Sequence, residues 1–569
     1  MIAKQLIEPK SIVVVGGSDD IHKPGGTVLR NLQDGNFKGS LYVVNPKMDE
    51  VQGIKAYRDV KDLPEVDCAI LAIAAKFCPS TVEVLAKQKN TKAFIILSAG
   101  FHEENEEGAK LERQIVETIN SVGGSLIGPN CIGVLTNHYS GVFTSPIPEL
   151  NPQGVDLISG SGATALFIMD SGMQKGIKFN SMYSVGNSAQ LGVGEILEYM
   201  DESFDPKTSS RVKLESIEKP EKLLKHASSL IRKGCRIAAV KSGGSAAGSR
   251  AASSHTGALA SSDVAVEALF RKAGIVRCNG RDELMTVAGI FMHPEMKGRN
   301  MAVVTHAGGP AVMLTDALSN GGMDVPHIEG EKAQELLGKL FAGSSVGNPI
   351  DFLATGTAEQ LGYILDACDR DFDNIDGMAV IFGSPGLFPV FDVYNVLDEK
   401  MKTSKKPIFP IFPSSKIVKD EIAEFVSKGR VYFPDEVLFG NALCKIYKTP
   451  APQPEHFEMP DMDVKKIREV VDNAQNGYLS PDEIHALLDA AGVARAKEGV
   501  SDNEEEIVKM AKEIGLPLVM KVVGPIHKSD VGGVVLNVSD EETVRREFKR
   551  MMHFNFAGGH PMDWLELKI

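Results

Sequence analysis

The first 140 residues alternate short apolar runs with stretches of helical periodicity. The runs are rich in β-branched residues and each is followed by a glycine or polar cluster; they are IVVV, LYVV, DCAILAI, AFIILS and SLIG. Such runs are typical of buried parallel strands, and α/β proteins bind ligands in the loops at the carboxyl ends of those strands. The pattern predicts a doubly wound, Rossmann-like α/β domain over residues 1–140.

The same rhythm restarts twice. VDLIS at 155–159 opens a series that continues through MYSV, RVKLE, RIAAVK and GIVRC, and MAVVT at 301–305 opens another through GMDV, MAVIF, PIFPIF and RVYF. These series predict two flavodoxin-like α/β domains over 150–290 and 298–447. The segment TPAPQPEHFEMPDMD has four prolines within twelve residues and no apolar periodicity, so a linker is predicted over 448–476.

A different module is predicted over 477–569. Ser480 and Glu483 match a capping box, so a helix is expected to begin there and to end at Gly492. A second helix at about 503–514 leads into the apolar strand LPLVMKVV. The module is therefore expected to be α+β.

Composition narrows the function classes. The chain has 569 residues, which is too long for one hydrophobic core and suits roughly three or four domains. Its formal net charge of −14 argues against a nucleic-acid-binding surface, because nucleic-acid phosphates are bound by clustered Lys and Arg. The seven scattered cysteines form no C-x-x-C pair, as expected in a reducing cytoplasm. The first apolar run is too short for a signal peptide or a membrane span, so we expect a cytoplasmic protein that is neither exported nor anchored.

The loop after the first predicted strand is rich in glycine and opens a helix. Its backbone amides and the helix N-terminus are suited to a phosphate group, although the same glycines are compatible with a tight turn alone. The second strand ends in LYVVNPK, whereas NAD enzymes have an acidic residue there for the ribose. This ending disfavours NAD and favours a phosphorylated nucleotide such as CoA. The candidate CoA-binding residues in the two loops are Gly16, Ser18, Lys23, Gly25, Asn45 and Lys47.

The stretch VKSGGSAAGSRAASSHTGALASS combines a predicted strand end, many small residues and His255. Small residues let backbone amides approach a charged group, so Gly243 and Gly244 are candidate phosphate contacts. His255 is interpreted as a covalent phosphoryl carrier, which needs one ring nitrogen free to attack and the other held by an acceptor. A buried histidine bonded to a backbone carbonyl is the alternative interpretation.

Three further positions are candidates for the same chemistry. Glu215 ends RVKLE and could accept from the histidine, although a surface carboxylate at a strand end explains it equally well. Ser161 and Gly162 precede the helix ATALFIMD and offer an anion-binding helix N-terminus. Lys521 lies in an apolar strand, where it is costly without an anion; a nucleotide phosphate is one explanation and an edge strand is the other.

The chain resembles the NDP-forming acyl-CoA synthetases, which are relatives of succinyl-CoA synthetase. The segments that carry the resemblance occur in the family's order; they are IVVVGGSDDIHKPGGTVLRNL, LYVVNPK, SAGFHE, IGPNCIGV, SVGNSAQLGVGEILEYM, SGGSAAGSRAASSHTGALA, VVTHAGGPAVM and GNPIDF. In the last module KVVGPIHKSDVGGV is similar to the opening half of the family's ATP-grasp domain. Ser98 and Asn130, which lie in two of these segments, join the candidate CoA-binding residues.

The resemblance implies a reversible ligase reaction in which acyl-CoA, ADP and phosphate give a carboxylic acid, CoA and ATP. Phosphate displaces CoA to form an acyl phosphate, which phosphorylates His255, and the phosphohistidine then passes its phosphoryl group to ADP. The resemblance also implies that Glu215 holds the histidine, that Ser161 and Gly162 cradle the phosphate, and that His527 is a second, relay histidine beside ADP.

The same resemblance implies CoA, ADP or ATP, and Mg²⁺ as cofactors, with Lys521 and Lys528 at the nucleotide and the metal ligands outside this chain. The family's ATP-grasp fold needs a second half, and the residues after Val535 are too few for it. We expect that another chain completes the site, that the protein is truncated, or that the ADP half-reaction is lost. Ser159-Gly160-Ser161 also replaces the family's usual Ser-Gln-Ser.

Two other functions stay open at this point. The incomplete nucleotide module is compatible with a non-catalytic, CoA-binding regulatory subunit, and the glycine loop is compatible with an NAD-dependent oxidoreductase, which the LYVVNPK ending disfavours. The expected partners are a small carboxylic acid or its CoA thioester, phosphate, and further subunits of a homo- or hetero-oligomer. The sequence does not indicate which acid is used.

Overall fold

The structure is a computed structural model. It describes residues 2–35, 37–206, 211–214, 220–256, 262–384, 389–454, 460–477, 479–522, 532–552 and 565–568. Of residues 211–214, 252–256, 481 and 565–568 it describes the backbone alone. The chain divides into two compact units, Met1–Glu455 and His456–Ile569.

The first sheet of the first unit has seven strands in the order β3-β4-β2-β1-β5-β6-β7, all parallel except β3. Its strands are β1 Ser11–Val15, β2 Ser40–Val44, β3 Glu50–Val51, β4 Ile54–Tyr57, β5 Cys68–Leu71, β6 Ala93–Ile96 and β7 Ser125–Ile127. Its helices are α1 Lys4–Ile7, α2 Pro24–Asp34, α3 Cys78–Gln88 and α4 Glu106–Ser121. The central strands are buried along their length, as expected for a parallel sheet with helices on both faces. The Rossmann-like prediction is confirmed.

The second sheet also has seven strands, in the order β14-β13-β12-β10-β11-β8-β9. Its strands are β8 Gly133–Leu135, β9 Ser140–Val142, β10 Leu150–Ser159, β11 Phe179–Ser184, β12 Arg211–Leu214, β13 Ile237–Val240 and β14 Val276–Cys278. Its helices are α5 Gly162–Gln174, α6 Val193–Glu202, α7 Pro220–Arg232, α8 Ala246–Thr256, α9 Asp263–Ala273 and α10 Arg281–Phe291. The five parallel strands have the flavodoxin-like order, as predicted, and the antiparallel β8–β9 hairpin extends the edge at β11.

The third sheet has four parallel strands in the order β16-β15-β17-β18. They are β15 Met301–Thr305, β16 Ile350–Asp351, β17 Gly377–Ile381 and β18 Ile408–Ile411, and the helices are α11 Gly308–Asn320, α12 Glu331–Leu337, α13 Ala358–Arg370, α14 Phe391–Thr403, α15 Lys419–Ser427 and α16 Glu436–Lys448. The predicted strands GMDV and RVYF pair through one residue each, Asp324 and Phe433. Their apolar residues pack in the core without extending a ladder, so these two strand predictions were wrong.

The second unit contains a four-stranded antiparallel sheet in the order β19-β22-β20-β21. Its elements are α17 Val464–Asn473, α18 Pro481–Ala490, β19 Glu498–Ser501, α19 Glu504–Ile514, β20 Leu518–Val522, β21 Val534–Val538, α20 Glu541–Met552 and β22 Leu565–Lys568. The capping box at Ser480 and Glu483 is confirmed, and it starts α18. Helix α17 lies within the segment predicted as a linker and packs on α18. In the part of the chain that the structure describes, no helix is long and apolar enough to cross a membrane.

Buried polar contacts fix α6 to α7 beside the second sheet. Asp201 is only 8% exposed; it accepts hydrogen bonds from Ser229 Oγ at 2.7 Å and Lys233 Nζ at 2.7 Å, and it lies 2.9 Å from His226 Nδ1. Burial raises the pKa of Asp201. The hydrogen bonds from Lys233, Ser229 and His226 lower it by more, so the pKa lies below the usual value. The carboxylate therefore stabilises the fold in its ionised form.

We expect Asp201→Asn to lower the free energy of unfolding by about 2 kcal/mol at pH 7, because the buried His226 and the ammonium group of Lys233 lose their anionic partner. Since the pKa of Asp201 is depressed in the folded state, its contribution is present above the carboxyl's unfolded pKa and is lost as pH falls towards the folded pKa. Calorimetric unfolding at pH 7 and near pH 3 checks both points. Glu202→Gln, at the exposed neighbouring position, is the control. An equal loss of unfolding free energy in Asp201→Asn at both pH values would contradict the prediction.

Candidate active site

The glycine loop lies where β1 and β5, neighbouring strands of the first sheet, both end. Gly16 has φ +88°, and a Cβ atom added to it would lie 2.5 Å from the carbonyl oxygen of Ala72. A Cβ at Gly25, in the first turn of α2, would lie 2.1 Å from the carbonyl oxygen of Gly16. The glycines are therefore needed for close backbone packing, and this packing places the start of α2 at the sheet's topological switch point, where such folds bind ligands.

The candidate polar residues of the two loops form hydrogen bonds to the loop backbone, and the side chains of the lysines among them are exposed. Asn45 Nδ2 donates to the carbonyl oxygen of Gly17 at 2.9 Å, and Asn45 Oδ1 accepts from the amide of Lys47 at 2.9 Å. Ser18 Oγ accepts from the amide of Asp20 at 3.1 Å. Lys23 Nζ lies 3.5 Å from the Asp20 carboxylate, and both side chains are substantially exposed. The lysine side chains at the mouth of the loop thus remain accessible to an anion.

Ser98 and Asn130 connect the next two loops of the first sheet. The Ser98 hydroxyl donates to the carbonyl oxygen of Ile73, and the amide of Asn130 donates to the carbonyl oxygen of Ser98 at 2.9 Å. Asn130 has φ +56°, and its Nδ2 lies 3.3 Å from Oδ1 of Asn187 in the loop after β11. The structure therefore brings the candidate residues of the first sheet up to a loop of the second sheet.

Glu103 belongs to this contact and was not predicted from the sequence. Its carboxylate accepts from the amides of Gly100 at 2.7 Å and Phe101 at 3.2 Å, and it also accepts from Asn187 Nδ2. Burial raises the pKa of Glu103, but the hydrogen bonds from Asn187 and the loop amides outweigh it, so the pKa is lowered. The only signal available in the sequence was the position of Glu103 at the end of SAGFHE.

His102, Glu103 and Glu112 are the one group of described residues whose donor atoms lie close enough together to hold a metal ion, all within 4.8 Å. However, His102 Nδ1 lies 2.7 Å from Glu112 Oε1, and Glu112 Oε2 accepts from Asn187 Nδ2 at 3.2 Å. Mg²⁺ prefers an octahedral shell of oxygen ligands that includes several waters. A set that includes a histidine, with its carboxylates already bonded to protein donors, does not fit Mg²⁺.

The phosphate-binding candidates of the second domain lie at its strand ends. Ser161 caps α5 by accepting from the amide of Thr164 at 3.3 Å, and a Cβ at Gly162 would lie 2.6 Å from Ile132 Cγ2. Helix α5 starts directly after β10, and β10 pairs with β12 up to Leu214. The start of α5 therefore lies at the switch point between β10 and β12, with its first amides available to an anion.

The loop after β13 lies at the same edge of the sheet. Gly243 has φ +77°, and its carbonyl oxygen accepts from Lys241 Nζ at 3.0 Å. A Cβ at Gly244 would lie 2.9 Å from the carboxylate of Asp263. Helix α8 begins at Ala246 and includes position 255 in its last turn. The backbone of His255 is thus placed on α8, while its side chain lies outside the description.

Three predicted site residues, Glu215, His527 and Lys528, lie outside the described residues. Lys521 is described and lies on β20, which is paired with β22 on one side and β21 on the other. It is partly buried. The edge-strand explanation for this lysine therefore does not apply.

Comparison with known families matches three regions of the chain. Residues 10–137 match a CoA binding domain, residues 152–291 match the succinyl-CoA ligase like flavodoxin domain, and residues 470–557 match an ATP-grasp domain. The first two matches coincide with the first and second sheets, and the third lies in the second unit.

Similar proteins extend this match to nearly the whole chain. The chain is 32% identical to the acetate–CoA ligase (ADP-forming) I of Archaeoglobus fulgidus over 99% of this chain and 81% of the relative. The dinucleotide forming acetyl-coenzyme A synthetase 1 of Ca. Korarchaeum cryptofilum, solved in complex with phosphate and ADP, matches with a TM-score of 0.70 and 27% identity over 78% of this chain and 96% of that one.

A third relative is divided into subunits. The alpha subunit of the acetate–CoA ligase (ADP-forming) I of Pyrococcus furiosus is 30% identical over 80% of this chain and 100% of the subunit. Its beta subunit is 42% identical over 93 residues, which are 16% of this chain and 40% of that subunit. With three matching domain types and an alignment to a full-length relative, this chain is an acid–thiol ligase that belongs to the NDP-forming acyl-CoA synthetase family.

Proposed function

We propose that the chain interconverts acyl-CoA, ADP and phosphate with a carboxylic acid, CoA and ATP, through an acyl phosphate and a phosphohistidine at His255. The observation that carries the proposal is the convergence of two anion-binding backbone segments on one edge of the second sheet. The start of α5 at Ser161 and the turn at Gly243 follow β10 and β13, and α8 carries position 255 away from that turn.

CoA is proposed to bind across the loops of the first sheet. Its phosphate groups are placed at Gly16, Ser18 and the start of α2, where backbone amides and the exposed Lys23 and Lys47 favour an anion. The contact between Asn130 and Asn187 is proposed as the place where the thioester end reaches the second sheet, since there the loops of both sheets meet.

In the first step a phosphate oxygen attacks the thioester carbonyl, the C–S bond breaks, and CoA leaves as a thiol after taking up a proton. An imidazole nitrogen of His255 then attacks phosphorus, and the carboxylate leaves. Amides at the start of α5 and in the Gly243–Gly244 turn stabilise the negative charge of the transferring group. Glu215 is proposed to hold the other ring nitrogen, which keeps the attacking nitrogen unprotonated.

The second step passes the phosphoryl group from His255 to ADP. We propose that Lys521, on the interior strand β20, contacts a nucleotide phosphate, with Lys528 nearby in sequence and His527 as a relay. A separate polypeptide is proposed to supply the remaining ATP-grasp residues, because a relative carries this domain on its own subunit and only 40% of that subunit aligns here. Mg²⁺ ligands are assigned to that partner, and no step is derived through the ion.

The domain boundaries predicted from the sequence are kept as part of the proposal. The CoA-binding domain is 1–140, the two ligase domains are 150–290 and 298–447, and the ATP-grasp part is 477–569 after a linker at 448–476. Strands β8 and β9, at the end of the proposed CoA-binding domain, pair with the second sheet, and their side chains are divided between the cores of both sheets.

Incubation with acetyl-CoA and radiolabelled phosphate is expected to place acid-labile, base-stable label on the wild-type chain and none on His255→Asn, because an amide cannot carry a phosphoryl group. His327→Asn, at a distant exposed histidine, is the control and keeps the label. Label on His255→Asn would overturn the assignment. A wild-type chain that binds CoA but takes up no label would favour a regulatory subunit instead.

Ser161→Ala is expected to slow this labelling by about a hundredfold, because the start of α5 loses both its cap and a hydroxyl next to the transferring group. The same change costs roughly 1 kcal/mol of stability through the lost cap. Ser161→Thr keeps the hydroxyl and should label at close to the wild-type rate. Equal labelling rates for Ser161→Ala and Ser161→Thr, measured in rapid-quench experiments, would remove Ser161 from the phosphate site.

Lys521→Met is expected to weaken ADP binding roughly tenfold, because a partly buried ammonium group is a strong phosphate partner. Labelling of His255 from acetyl-CoA should be unaffected. Titration calorimetry with ADP measures the first effect, and Lys509→Met, on the exposed face of α19, controls for loss of one positive charge. An unchanged ADP affinity in Lys521→Met would contradict the nucleotide role.

A further inference from the structure

The turn between β3 and β4 carries an unusual backbone conformation. Gln52 has φ +48° and Gly53 has φ +80°, the two positive values that a tight hairpin turn of this hand requires. Glycine meets this requirement without strain, whereas a glutamine in the left-handed region carries a conformational cost. A residue kept in such a conformation points to contacts that compensate for it.

Those contacts are made to the glycine loop after β1. Gln52 Nε2 donates to the carbonyl oxygens of Ser18 at 2.7 Å and Gly26 at 2.9 Å. The backbone amide of Gln52 donates to Asp19 Oδ1 at 2.7 Å, and its carbonyl oxygen accepts from Gln33 Nε2 at 3.1 Å. One turn residue thus holds the beginning of the loop and the first turn of α2 together.

The other external hydrogen bonds described lie at the start of the loop, where Asn45 Nδ2 donates to the carbonyl oxygen of Gly17 and the amide of Gly16 donates to that of Val44. Its residues 19–24 are exposed, and its internal bonds are local, such as the amide of Gly26 to the carbonyl oxygen of Lys23 at 2.9 Å. The Gln52 side chain acts only as a donor here, since its Oε1 is buried and has no hydrogen-bond partner among the described residues. Because the Gln52 side chain bonds carbonyl oxygens of the loop, it holds the loop backbone without occupying any of the loop amides.

We propose that Gln52 is a positioning residue that preorganises the Gly16–Gly26 loop for the phosphate groups of CoA. The inference rests on the proposed binding of CoA at this loop, and it adds a residue that does not touch the ligand. A loop already held in its bound conformation loses less entropy on binding, so the clamp is expected to act on affinity. It is not expected to act on the chemical step at the second sheet.

A series at one position separates donor chemistry from general structure. Gln52→Met has similar length and no polar group, Gln52→Glu turns an acceptor towards two carbonyl oxygens, and Gln52→Lys offers donors and no acceptor. Because Oε1 makes no bond, Lys loses nothing that Gln supplied. Lys55→Met, on the exposed side of the same hairpin, is the matched control.

Titration calorimetry of the full chain with CoA is the first measurement. We expect Gln52→Met to weaken CoA binding roughly tenfold, Gln52→Glu to weaken it further, and Gln52→Lys and Lys55→Met to stay within about twofold of wild type. In single-turnover release of CoA from acetyl-CoA and phosphate, the acetyl-CoA concentration that gives half the maximal rate should rise, while the maximal rate and the half-saturating phosphate concentration stay unchanged.

Equal CoA affinities for Gln52→Met and wild type would overturn the proposal, as would a loss in Gln52→Lys as large as that in Gln52→Met. A fall in the maximal single-turnover rate together with a rise in both half-saturating concentrations would also overturn it, because that result indicates general loss of structure. If Gln52→Met does not fold, Gln52→Glu against Gln52→Lys decides the question, since both place a charge at the same turn.

Hydrogen exchange of the free protein tests the clamp without CoA. Amides of residues 16–27 should exchange faster in Gln52→Met than in wild type and Gln52→Lys, and equal rates would overturn the clamp. A wild-type chain that shows the protected loop but binds no CoA would instead overturn the proposed function. The two failures are therefore distinguishable.

Discussion

The arrangement of the first unit depends on the segment 128–132. It packs so closely against the loop after β11 and the start of α5 that glycines of the second sheet's domain have no room for a side chain there. A Cβ atom at Gly186 would lie 2.2 Å from the carbonyl oxygen of Pro129, and one at Gly162 would lie 2.6 Å from the Ile132 side chain. The amide of Asn187 also donates to the carbonyl oxygen of Pro129 at 2.9 Å. This segment follows the last strand of the first sheet, so it fixes both the loop after β11 and the start of α5 relative to the proposed CoA-binding loops.

In the proposed sites, anion binding relies more on backbone amides than on clustered cations. The net charge is −14, and Lys241, beside the proposed phosphate site, donates to the carbonyl oxygen of Gly243. Amides at helix starts bind phosphate through fixed geometry, which explains why the glycines and small residues of these loops were the informative feature of the sequence.

Much of the architecture could be predicted because buried parallel strands leave continuous apolar runs. All five runs of the first domain are strands, and the order of the second sheet follows from the same rhythm. Strand β16 was missed because it has only two residues, Ile350 and Asp351, which directly follow a proline and form no apolar run. GMDV and RVYF were misassigned because apolar burial alone does not distinguish a paired strand from a packed loop segment.

The site was predictable only where residue types carried the chemistry. Glycines, His255 and Lys521 could be selected from local sequence, and the interior position of Lys521 then removed the edge-strand explanation. Glu103 and Gln52 could not be selected, because their partners lie far away in sequence or are backbone groups. Glu103 meets Asn187 across 84 positions, and Gln52 meets Ser18 across 34.

The division into two compact units gives a physical reason for the proposed covalent carrier at His255. The regions that match CoA-binding and succinyl-CoA ligase like domains lie in the first unit, and the ATP-grasp match lies in the second. A phosphoryl group on a histidine keeps most of the free energy of the acyl phosphate while the carboxylic acid departs, so each half-reaction can be completed with its own substrates.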